Sequence, residues 1–110
     1  MTDLDNDPVV SEIRTEIAAA DRALVGLVNQ RIVLVQRMRA RKEEIGAGYV
    51  DPGREQRMLD FVAGVNTGPV SQEGLAELYR RVVALCKREV YGLKEYGGPG
   101  AGWRQAAAGR

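Results

Sequence analysis

Apolar residues recur along the first half of the chain at spacings that alternate four and three: Ile13, Ile17, Ala20, Leu24 and Leu27, then Leu34, Met38 and Ile45. Between residues 9 and 45 there is no proline and no turn cluster, and Gly26 is the one glycine. That alternation predicts a helix laid lengthwise on another. Unbroken, it would be about 55 Å long at ~1.5 Å per residue. The stretch "GAGY" (46–49) ends it. Asp51 reads as the next N-cap, with Pro52 at the first helical position. Met58, Leu59, Val62 and Val65 give this second helix an apolar face, and "NTGP" (66–69) stops it. Ser71 reads as the cap of a third helix, whose stripe is Leu75, Leu78, Tyr79, Val82, Cys86 and Leu93.

No segment alternates with the period of a strand, so the expected fold is all-α: a three-helix protomer with one very long N-terminal helix. The expected organisation is a flexible N-terminus over 1–8, a helical domain over 9–95 and a flexible Gly/Ala-rich tail over 96–110. The second and third helices are too short to cover the seam of the first. A second copy of the chain would cover it, and a two-fold homodimer is the commonest solution.

Composition changes this picture mainly by exclusion. A chain of 110 residues with 45% apolar content builds one domain with a core. A net charge of +1 supplies no global field for nucleic acid or an anionic membrane, so neither is an expected partner. No stretch has the apolar length to span a bilayer. The start, "MTDLDNDPVV", is acidic and polar, unlike a signal peptide. A single cysteine permits no intrachain disulfide, and a cytoplasmic location is expected. The chain has no histidine. That removes Ser-His and Cys-His nucleophile pairs and His-ligated metals, and no metal or cofactor is expected. Any catalysis must use Arg, Lys, Asp and Glu, or work mainly by binding.

The charges on the seam are the candidate chemistry. The apolar series 13, 17, 20, 24, 27 continues to Arg31. Lys42 follows eleven residues later, close to three helical turns, so the two project from nearly one face. Arg14 shares that face but lies roughly 42 Å from Lys42 along one helix. It can join the same site only from an antiparallel partner, which would create two identical sites. The junction "RKEEIGAGYVDPGRE" (41–55) gathers Lys42, Asp51, Arg54 and Glu55. Two readings stay open at this point. Long basic side chains at a seam edge snorkel to water in an interaction module, or they converge on a small anion. Arg80, Arg81, Lys87 and Arg88 read as a solvated face of the third helix.

The stretch "IRTEIAAADRALVGLVNQRIVLVQRMRARKEEIGAGYVDPGRE" resembles the all-helical AroQ class of chorismate mutases, and the resemblance extends over about residues 10 to 93. It implies an intertwined antiparallel homodimer of three-helix protomers. Arg14 would be donated by the neighbouring subunit. Arg31 would hold a substrate carboxylate, and Lys42 a carboxylate and the ether oxygen. Asp51, Arg54 and Glu55 would bind from the second helix, the acidic group reading a substrate hydroxyl. Arg31 and Lys42 are the expected catalytic residues. The implied reaction is a Claisen rearrangement of the dianion chorismate to prephenate within one molecule, without nucleophile or proton transfer, which suits a chain without histidine.

The third helix departs from the family pattern. Where the family places a small polar residue and then a glutamine donor to the ether oxygen, this chain aligns Cys86 and Val90. Cys86 also reads as a small buried hydrophobe. The departure leaves open a mutase for 4-amino-4-deoxychorismate, as used for p-aminophenylalanine in antibiotics, or an isochorismate-pyruvate lyase. A non-catalytic dimeric bundle is the reading from another class.

Overall fold

A computed structural model describes residues 3–48 and 51–92. Helix α1 runs Pro8–Ile45, 38 residues without a break. Its start follows from the sequence: the Asp7 carboxylate accepts hydrogen bonds from the backbone N–H groups of Val9 (2.8 Å) and Val10 (3.2 Å). Pro8 stands at the position where no N–H is needed. A single 3-10 turn, Leu4–Asn6, precedes it. There the Asp5 carboxylate takes the guanidinium of Arg14 at 2.8 Å. The helix ends at Gly46, whose φ of 69° is left-handed. The N–H groups of Gly46 and Ala47 turn back onto the carbonyls of Glu43 (3.3 Å) and Lys42 (2.9 Å). This closure satisfies carbonyls that the helix leaves open, and it needs glycine because a Cβ is strained at that φ.

Helix α2 is Arg54–Val65. It starts later than the sequence suggests, and Asp51 is not its cap. The Asp51 carboxylate is taken by the Arg57 guanidinium at 2.9 Å, and its carbonyl accepts from the Arg54 N–H at 3.1 Å to close a turn through Pro52. Gly53, with φ of 86°, occupies the N-cap and offers no side-chain oxygen. Helix α3 is Gln72–Tyr91. Here the expected cap forms: Ser71 Oγ accepts from the Gly74 N–H at 3.0 Å. Leu93, read as part of the α3 stripe, lies outside the described residues, as does the tail over 96–110.

Helix α3 packs against both α1 and α2. The buried apolar residues are Leu59 and Val62 of α2 with Cys86 and Val90 of α3. Arg88 is buried too, beside Glu89 at 3.2 Å, so it is not part of a solvated face. The architecture is all-helical, with no strand among the described residues. Among the described residues no helix is long and apolar enough to cross a membrane.

Helix α1 has no buried residue. Every residue from 11 to 27 is exposed. Ile13, Ile17, Leu24 and Leu27 each keep between 48% and 61% of their surface accessible. Neither α2 nor α3 covers them, having only 12 and 20 residues, or roughly 18 and 30 Å.

Candidate active site

The other half of α1 faces α3 across a cavity of about 300 Å³. From α1 come Arg31, Leu34, Val35, Met38 and Lys42; from α2 comes Arg54. The α1 residues sit at i, i+3, i+4, i+7 and i+11, one stripe of a helix. Helix α3 contributes Val83, Lys87 and Tyr91, an i, i+4, i+8 row, with Cys86 beside it. The walls are therefore apolar side chains between cations, and no carboxylate lines them among the described residues.

Each cation is held by its element. Arg31 is half-buried, and one of its N–H groups points to the Met58 sulfur of α2 at 3.8 Å. Sulfur is a weak acceptor, so most of the five-donor guanidinium fork stays available to a carboxylate. Lys42 is half-buried in the last turn of α1. The negative end of the helix dipole there favours its ammonium. Arg54 is the first residue of α2, placed by the Gly53 turn. None of these three meets a carboxylate among the described residues, whereas Arg14, Arg39, Arg41, Arg57, Arg81 and Arg88 all do. Unneutralised cations over an apolar bed suit a compact organic anion.

Of the residues singled out from sequence, the fold brings Arg31, Lys42, Arg54 and Cys86 together at this cavity. Cys86 does so as a buried wall, only 2% exposed. Asp51 and Glu55 are exposed and do not line it, and Asp51 is engaged by Arg57. Val90 also does not line it. Its side chain is buried, and its carbonyl accepts from Arg39 at 2.5 Å. The Arg39 guanidinium lies 5.2 Å from the centre of the Tyr91 ring and 3.1 Å from the Glu43 carboxylate, so it ties the end of α3 to α1. Arg14 is near the opposite end of α1, paired with Asp5.

Sequence reasoning missed Val35, Val83, Lys87 and Tyr91. Lys87 reads as solvated and is exposed, and it also stands on the wall of the cavity. The spacing of 83, 87 and 91 by four was a usable signal, because it marks one ridge of α3 next to the row carrying Cys86 and Val90.

The sequence model of the family described as chorismate mutase type II matches residues 13–91. That span contains Arg14 and every described residue that lines the cavity. Two bifunctional chorismate mutase/prephenate dehydratases are similar to the chain. The one from Pseudomonas aeruginosa is 30% identical over 102 residues, covering 87% of this chain and 28% of the relative. The one from Aquifex aeolicus is 28% identical over 104 residues, covering 90% of this chain and 29% of the relative. The chain thus spans under a third of the length of either relative. The all-helical fold and the family match agree: the chain belongs to the type II chorismate mutases, a family of isomerases.

Proposed function

We propose that this chain rearranges chorismate to prephenate in the cavity between α1 and α3, as a homodimer. The observation that carries the reading is the convergence of Arg31, Lys42 and Arg54 on an apolar cavity inside the family-matched span. In the reaction an ether C–O bond breaks while a C–C bond forms within the same molecule. No proton moves and no covalent intermediate is needed. Two tasks remain for the protein. It must hold the dianion in the compact chair in which the bonding carbons meet, an orientation effect. It must also stabilise the charge that grows on the ether oxygen. Arg31 and Arg54 suit the first task, because guanidinium matches carboxylate geometry. Lys42 suits the second, as a mobile point charge on a half-buried stem.

The dimer is part of the proposal. It covers the exposed seam of residues 11–27. An antiparallel partner also brings its Arg14 to the end of α1 where Lys42 stands. Asp51 and Glu55 are kept as substrate-facing groups, as the family resemblance implies, only for the assembled dimer with ligand bound. The test is the disappearance of chorismate followed spectrophotometrically, with 4-amino-4-deoxychorismate and isochorismate assayed beside it. Faster turnover of either analogue would reassign the substrate, and no turnover of any would leave the interaction-module reading.

A further inference from the structure

Lys87 is a cation that no reading of the reaction has used, and it shares the cavity with Arg31, Lys42 and Arg54. Its neighbours on the same wall are Val83, Cys86 and Tyr91. No hydrogen bond or ion pair engages its ammonium among the described residues, although Arg81 and Arg88 on the same helix are both ion-paired. Lys87 is exposed, so a lysine at the open side of an apolar wall with its ammonium free is placed to follow a ligand anion. We infer that Lys87 is a substrate-contacting residue that adds a cation from α3 to those of α1 and α2 and sets the affinity of the site for a dianion. This inference rests on the proposed function and deepens it.

Two features support the assignment. The cavity-lining row of α3 is 83, 87, 91, so position 87 is the one on this wall from which a charged donor reaches the ligand. Val90, aligned with the usual neutral donor, turns into the core instead. The α3 wall would otherwise offer a carboxylate or an ether oxygen only the hydroxyl of Tyr91 and the thiol of Cys86. An ammonium there works on the ground state as well as the transition state, because the carboxylates are charged throughout. Its removal should therefore act mainly on KM and on product affinity.

The experiment compares wild type, Lys87→Met, Lys87→Arg and the control Arg80→Met, which removes a charge from an exposed position of α3 that does not line the cavity. Helical circular dichroism and dimer mass verify the fold of each. Chorismate turnover and calorimetric affinity for prephenate are measured at low and high salt. We expect Lys87→Met to raise KM and weaken prephenate binding about tenfold, the loss of one charged contact in a partly hydrated site. The change in kcat should be smaller, and the salt dependence of KM should flatten. Lys87→Arg should stay within about threefold, and Arg80→Met should match wild type. An active enzyme whose KM and prephenate affinity are the same in Lys87→Met overturns the inference. So does an equal loss in Arg80→Met, which would show a general field effect. If wild type leaves chorismate unconverted, the proposed function fails, and prephenate binding decides Lys87 alone. Tenfold weaker binding in Lys87→Met sustains it, and equal or absent binding overturns it.

Discussion

Lys42 sits where two constraints meet. The seam of α1 puts it on the face of Arg31, and the Gly46 closure puts it in a helix's last turn. Replacing it by methionine keeps the stem and the helix propensity but removes the charge proposed to face the breaking bond. Turnover should fall about a hundredfold or more, ~3 kcal/mol of transition-state stabilisation, with unchanged circular dichroism. A rate near wild type would sink Lys42 as the ether-oxygen donor. Val90 carries the opposite expectation. It is 8% exposed and outside the cavity lining, so Val90→Gln buries an amide in apolar surroundings. We expect about 1–3 kcal/mol lower stability and no gain in rate; faster turnover of chorismate would place Val90 in the site after all. The contrast shows what was readable at this scale. Arg31 and Lys42 stand out because a cation breaks an apolar series, and Arg54 because the junction is so charged. Lys87 carries no such mark. Its role depends on how α3 is rotated against α1, and one residue along a helix is ~100° of direction.

Helix boundaries follow local chemistry, and so they were legible wherever the deciding contact is local. The turn at Gly46 and the cap at Ser71 are both read from sequence, and they set the end of α1 and the start of α3 through hydrogen bonds within a few residues. The Asp7 cap before Pro8 is as local, but it goes unread because the sequence reading places residues 1–8 in a flexible N-terminus. The start of α2 was not legible, because Asp51 had two local options. Pairing with Arg57 left the cap to Gly53. The attachment of α3 to α1 is a tertiary contact that no pattern announces: Arg39 bonds the Val90 carbonyl and stacks on Tyr91. Arg39→Ala should lower stability by about 1–2 kcal/mol, as the sum of a hydrogen bond and a cation–π contact. Amide exchange should quicken in the last turn of α3 before it does elsewhere. Uniform exchange across α3 would show that Arg39 does not hold that end. Removing the Ser71 cap by Ser71→Ala should cost about 1 kcal/mol, read as a lower unfolding midpoint at an unchanged denaturant slope.

At the scale of the molecule, a helix that buries none of its own residues needs another surface to pack on. The sequence showed this need through length alone, since α1 outruns α2 and α3. The geometry adds where the need is greatest: residues 11–27, the half of α1 that α3 does not cover. We expect light scattering to give twice the chain mass, and Leu24→Lys on that seam to lower the mass and the activity together. The partner's contribution can be tested apart from the interface. If each site takes Arg31 from one subunit and Arg14 from the other, then Arg14→Ala and Arg31→Ala chains are each inactive alone. In a mixed dimer, however, both losses fall in one site, and the other site keeps both arginines. Equal amounts unfolded and refolded together form mixed dimers about half the time. The mixture should therefore recover about a quarter of the wild-type activity per chain. If the mixture stayed as inactive as its components, Arg14 would have to act within its own subunit or not at all. Its pairing with Asp5, some 42 Å of helix from Lys42, would then be its whole role.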